Sequence, residues 1–256
     1  MPFRPIQSDR VAHAVIRQIE QLILRGILRP GDRLPSERDL AERMGVSRPS
    51  LREAIADLQE RGLITSKAGS GIFVTDALTS GFSKPLVALF SRHDEAVFDY
   101  LSLRRDMEGL AAERAALHGT DTDLQVIATI FAKMEAAHQK RNPEEEARID
   151  ADFHLAIVEA SHNVMMLHMM RALYGLLREG VFYNRSIMFK QRTTRAALLE
   201  QHRAIYDALQ ARNAKAARAA VESHLSFVEE ALFADRKTEA QSDIAKQRLA
   251  REDRDL

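Results

Sequence analysis

A chain of 256 residues is long enough for two domains, and 45% hydrophobic with 29% charged residues is an ordinary globular composition. It holds no cysteine, which excludes disulfide frameworks, thiolate zinc sites and cysteine nucleophiles, and no apolar run near the roughly 20 residues that span a bilayer. Its 37 Lys+Arg balance 37 Asp+Glu, so bulk charge gives no sign of a nucleic-acid partner. The opening MPFRPIQSDR has no apolar stretch after its charges, so a cytoplasmic protein without a secretory signal is expected.

Residues 8–25 predict an amphipathic helix, with Val11, Val15, Ile19, Leu22 and Ile23 at helical spacing and Ser8 or Asp9 as cap. Gly26 ends it, and LRPGDRLP makes a turn. Ser36 then caps a short helix carrying Leu40, Ala41 and Met44, which Gly45 stops. Ser47 opens a third helix with Leu51, Ala54, Ile55 and Leu58 facing inward; Pro49 fits because it lies in the first turn. After Gly62 the pattern becomes extended, and LITSK and GIFVT flank Ala68-Gly69-Ser70 as in a β-hairpin.

From Ser83 onward the pattern is helical only, over 94–118, 121–140, 143–161, 163–190, 192–212 and 214–233. Connections this short predict an antiparallel bundle. The expected organisation is mainly α: a winged helix-turn-helix over 8–76, a linker over 77–83, a helical domain over 84–233, and a charged, disordered tail over 234–256.

Two short helices with a Gly turn, followed by a hairpin, describe a winged helix-turn-helix, whose second helix enters the major groove. The first 76 residues carry 12 Lys+Arg against 10 Asp+Glu, so DNA binding has to rest on where the arginines sit. Ser47, Arg48, Ser50 and Arg52 open the reading helix, and an arginine fork matches the two acceptors of guanine. Arg38 can reach a phosphate or base, and Lys67, Gly69, Ser70 and Gly71 form a small wing tip. The run RPGDRLPSERDLAERMGVSRPSLREAIADLQERGLITSKAGSGIFVT resembles the DNA-binding domain of the GntR family of bacterial regulators. That resemblance implies Arg38, Arg48 and Arg52 as the DNA-contacting arginines, with Gly69 on the wing.

In the helical region, Asp150 and His154 lie four apart on the flank of an apolar stripe. His202 lies among Leu198, Leu199, Ile205 and Tyr206, and His224 among Ala217, Val221, Leu225 and Val228. Buried polar groups need partners. Either each histidine bonds to its own neighbour, or a divalent ion (Zn, Ni, Mn or Fe) satisfies all four at once.

RRDMEGLAAERAAL, DADFHLAIVEASHN and EQHRAIYDALQARNAKAARAAVESHL are similar to the effector-binding FCD domain of the FadR-type branch of that family. The resemblance implies a metal held by Asp150, His154, His202 and His224, and Arg104 lining the pocket to pair with an effector carboxylate. Within the branch, FSKPLVALFSRHDEAVFDYLSLRRDMEGLAA looks nearest to regulators of the pyruvate dehydrogenase complex, while relatives that sense lactate or glycolate share the framework.

The expected protein is thus a homodimeric, non-enzymatic and non-membrane repressor. It binds an inverted-repeat operator on double-stranded DNA under control of a small hydroxy- or keto-carboxylate such as pyruvate, lactate or glycolate. Two alternatives stay open: a metalloenzyme fused to a DNA-binding head, and a regulator with a vestigial pocket.

Overall fold

The computed structural model describes residues 9–67, 69–75, 82–90, 92–178 and 192–252. They form two compact units that divide between Phe82 and Ser83. Residues 77–81 of the expected linker, and residues 179–190 of the expected helix 163–190, lie outside the described residues.

The first unit holds α1 (Asp9–Leu24), α2 (Glu37–Met44), α3 (Arg48–Glu60), β1 (Ile64–Lys67) and β2 (Gly71–Val74). Val15, Ile19, Leu51, Leu58, Ile64 and Val74 bury their side chains in one core. The helix ends follow the local chemistry of the sequence. Ser36 Oγ accepts from the Asp39 amide at 3.2 Å, and Ser47 Oγ accepts from the Ser50 amide at 3.3 Å. Gly45 closes α2 in the left-handed region at φ +64°. β1 and β2 pair antiparallel with Ile64 opposite Val74 and Lys67 opposite Gly71. The turn 31–34 adds to this wing: Arg33 bridges Phe73, and the Leu34 amide donates to the Ile72 carbonyl at 2.9 Å.

The second unit holds α4 (Lys84–Phe90), α5 (Asp94–His118), α6 (Asp121–Lys140), α7 (Pro143–Ala160), α8 (Val164–Arg178), α9 (Arg192–Gln210) and α10 (Ala214–Glu252). Phe131, Phe153, Ile157, Ile205, Leu209 and Val221 fill its centre. Thr120 and Asp123 form a reciprocal capping box on α6, and Asn142 Oδ1 accepts from the Glu144 and Glu145 amides on α7. These caps fix where each helix begins, and so which residues face the centre. Among the described residues no helix is long and apolar enough to cross a membrane.

Two features depart from the sequence expectation. The short α4 precedes the first predicted helix of this unit. The expected tail is helical: α10 continues to Glu252. Between Ala214 and Glu252 there is neither Gly nor Pro, and Ala, Glu, Lys, Arg and Gln dominate the extension, so intrinsic propensity carries the helix where apolar periodicity ends.

A Cβ added at Gly45 meets nothing within 4 Å, so the cost of a side chain there is conformational alone. Gly45→Ala should destabilise the protein by about 1 kcal/mol, left-handed strain exceeding the entropy gain in the unfolded chain. Urea denaturation measures this, and an unchanged or raised midpoint contradicts it.

Candidate metal centre and candidate nucleic-acid interface

Helical spacing of four residues places Asp150 one turn below His154 on α7, and α9 and α10 bring His202 and His224 to the same point. All four side chains are buried, and one ligand atom from each lies within 4.8 Å of the others. Asp150 Oδ1 is 2.8 Å from His202 Nε2 and 3.8 Å from His154 Nε2, and the two Nε2 atoms are 3.2 Å apart. The rings pack together, with His202 and His224 centroids 4.4 Å apart and Phe153 edge-on to both His154 and His202.

Each ring is oriented by its other nitrogen. His154 Nδ1 lies 2.8 Å from Glu108 Oε2, His202 Nδ1 lies 2.7 Å from the Leu198 carbonyl, and His224 Nδ1 lies 3.0 Å from Gln201 Oε1. These three partners accept, so each Nδ1 carries a proton and each neutral ring turns its Nε2 lone pair inward. Two facing lone pairs at 3.2 Å repel unless a proton or a cation stands between them. A divalent cation among these atoms removes that repulsion and satisfies all four ligand atoms at once. Three imidazole nitrogens and one carboxylate oxygen, each ring with an outer hydrogen-bond partner, suit a first-row divalent ion. The residues present fit such an ion.

Glu108 and Gln201 are the functional side chains that sequence reasoning missed. Glu108 lies four residues after Arg104 on α5, and Arg104 Nε donates to its Oε1 at 2.6 Å with both side chains buried. That helical Arg–Glu spacing is the signal that could have found it. Burial alone would raise the Glu108 carboxyl, but Arg104 and the His154 ring outweigh it and hold it well below the usual carboxylate range. Burial pushes His154 down despite Glu108 beside it, and pushes His224 far below the ordinary histidine value with the neighbouring rings adding to the effect. Arg104 therefore does not stand ready for an effector as a bare cation: Glu108 neutralises it, and its guanidinium lies 5.8 Å and 5.3 Å from the Tyr100 and Tyr174 ring centroids.

In the first unit, Arg38 and Arg48 are exposed; among the described residues Arg38 reaches only the neighbouring Asp39, at 3.4 Å. Arg52 is exposed and pairs with Glu37 at 2.8 Å. Lys67 lies 4.9 Å over the Phe73 ring, and Gly69, Ser70 and Gly71 are exposed at the wing turn. Gly71, at φ +110°, lies under Arg33: an added Cβ would meet Arg33 Nε at 3.0 Å. Arg33 is thus a wing arginine that sequence reasoning left in a turn. Ser50 is buried, and its Oγ lies 2.9 Å from Ser47 Oγ, the oxygen that caps α3.

Comparison with known proteins bears on both units. The sequence profile of bacterial regulatory proteins of the gntR family matches residues 11–74, and that of the FCD domain matches residues 99–227. The putative L-lactate dehydrogenase operon regulatory protein of Escherichia coli is 36% identical over 86% of this chain and 85% of its own length. The Glc operon transcriptional activator of the same organism is 34% identical over 87% and 89%. Among solved structures, Streptococcus agalactiae GntR superposes with a TM-score of 0.52 at 25% identity, covering 86% of this chain and 99% of its own.

Because His154 and His224 are lowered from 6.5, the unfolded chain binds more protons than the folded one between those lowered values and 6.5. Chelator-stripped protein should therefore lose stability as pH falls from about 7.5 to about 5.5. Urea midpoints across that range check this; a flat or rising profile on acidification contradicts it.

Proposed function

Because the chain belongs to the GntR family of bacterial regulatory proteins and carries an FCD domain, we propose that it is a metal-containing repressor. In this reading it binds an inverted-repeat operator as a homodimer and answers to a small 2-hydroxy- or 2-keto-monocarboxylate. The chain is a DNA-binding transcription regulator, and its relatives are regulators rather than enzymes. The observation that carries the proposal is the convergence of three Nε2 atoms and the Asp150 carboxylate, each ring held by its own Nδ1 partner.

Asp150, His154, His202 and His224 hold the ion. When bound, it supplies a Lewis-acidic point with positions left for the oxygens of an effector. Charge limits what those oxygens belong to. Among the described residues of the site, Asp150 and Glu108 stand against Arg104, with the rings neutral, so a divalent ion leaves one positive charge in excess. A monocarboxylate cancels it; a di- or tricarboxylate overshoots. The relative named for the L-lactate dehydrogenase operon favours lactate over pyruvate and glycolate. Arg104, neutralised by Glu108, contributes hydrogen-bonding geometry toward the effector more than net charge.

Arg48, at the start of α3, reads a base edge, and Arg38, Arg52 and Lys67 position the phosphates, with Gly69, Ser70 and Gly71 laying the wing against the backbone. Ser47 serves as cap first and as phosphate donor second. A two-fold protein reads a palindrome because each head meets an equivalent half-site. The effector changes operator affinity only so far as it binds DNA-competent and incompetent states unequally.

Protein purified without chelator should carry one divalent ion per chain by elemental analysis, and His202→Ala should lose it while remaining helical by circular dichroism. Equal metal content in the two, or none in wild type, sinks the metal centre. On an operator selected from random DNA, Arg48→Ala should weaken binding by about 10- to 100-fold in fluorescence anisotropy. In the same assay L-lactate should shift wild-type affinity. Undiminished binding defeats the readout role of Arg48, and affinity unmoved by L-lactate, glycolate and pyruvate alike defeats the effector reading.

A further inference from the structure

The outward face of α5 presents Leu103, Leu110 and Leu117, exposed by 44%, 39% and 58%. Spacing by seven residues turns a helix by only about 20° per step, so the three leucines form one stripe. The adjoining face is closed by α10, where a Cβ added at Gly109 would meet Glu222 Cγ at 3.1 Å. Asp106 and Arg114 flank the stripe, four residues before and after Leu110. Among the described residues neither has an ion pair or hydrogen bond within the chain, and Arg114 Nε is buried without an acceptor.

We infer that this face of α5 binds the same face of a second copy, antiparallel, with the two-fold axis at Leu110. In that arrangement each residue before Leu110 meets the one equally far after it on the partner copy. Leu103 meets Leu117, Leu110 meets itself, and Asp106 meets Arg114 twice. The pattern is self-complementary about its own midpoint, which an isologous interface requires and a foreign helix does not. Partnerless charges of opposite sign are matched by the same operation that covers the leucines. The inference rests on the homodimer proposed above and names its surface. It also puts the interface on the helix whose other side carries Arg104 and Glu108, so the pocket and the partner copy share one rigid element.

The chain has no cysteine, so single substitutions report the geometry cleanly. Full-length Leu110→Cys, oxidised with diamide, should form a covalent dimer within disulfide reach of the axis. Leu103→Cys alone should not, its two copies lying roughly 21 Å apart along the paired helices. Mixed Leu103→Cys and Leu117→Cys chains should cross-link to each other. Asp106→Arg or Arg114→Asp should each weaken the dimer by about tenfold or more in sedimentation equilibrium, and the double exchange should restore it. A dimeric wild type in which Leu110→Cys cross-links no better than Leu103→Cys, or in which the charge reversals leave affinity unchanged, overturns this face and spares the homodimer. A monomeric wild type overturns both.

Discussion

Three imidazole lone pairs and a carboxylate turned toward one buried point are mutually repulsive until a cation or a proton stands among them. The arrangement of the second unit follows from satisfying that constraint. Asp150 and His154 come from α7, His202 from α9 and His224 from α10, while α5 supplies the Glu108 carboxylate behind His154. Four helices are therefore fixed in rotation by polar atoms as well as by the apolar centre around Phe153. In a low-dielectric interior an unmatched polar group is costly, so a small rotation of α7, α9 or α10 disturbs an Nδ1 contact and the inward set together, and one of α5 breaks the contact at His154 Nδ1. Shape complementarity alone tolerates repacking more readily than this.

The chain Arg104–Glu108–His154 extends the constraint outward. A buried carboxylate beside His154 would by itself repel any anion brought to the cluster; the guanidinium on its other oxygen offsets that repulsion. Glu108 holds the tautomer of His154 and cancels the charge of Arg104 at once.

How much of this is legible in the sequence depends on whether a residue's role follows from its own spacing. Asp150 and His154 sit at helical spacing beside an apolar stripe, and His202 and His224 interrupt stripes of their own, so their convergence in a bundle could be read in advance. Glu108 could not be separated from the many surface carboxylates of α5 until Arg104 was seen to be buried with it. Gln201 lies beside His202 in sequence, yet its partner is His224, a contact between helices that periodicity does not encode. The burial of Ser50 and its contact with Ser47 Oγ are likewise not encoded by its place in the first turn of α3. Arg33 stood in a Pro/Gly-rich turn, and its place on the wing depends on a backbone bridge to Phe73 forty residues later. Apolar periodicity likewise marked α10 only as far as it packs, while helix propensity carries it further.

The two sides of α5 answer different demands with one periodicity. Inward, Arg104 and Glu108 at a spacing of four make an ion pair that must stay dry, and Gly109, Ala112, Ala115 and Ala116 let neighbouring helices approach closely enough to keep it so. Outward, leucines at a spacing of seven stay exposed in a single copy, where water contact of that size has no benefit to the monomer. A helix packed on small residues is also a stiff one, because displacing it costs contacts along its whole inner length. An event that shifts α5 as a body, carrying Arg104 and Glu108, then moves the outer leucines with it. In the proposed antiparallel pair centred on Leu110, that displacement would reach the partner copy, so the proposed dimer would couple the two sites.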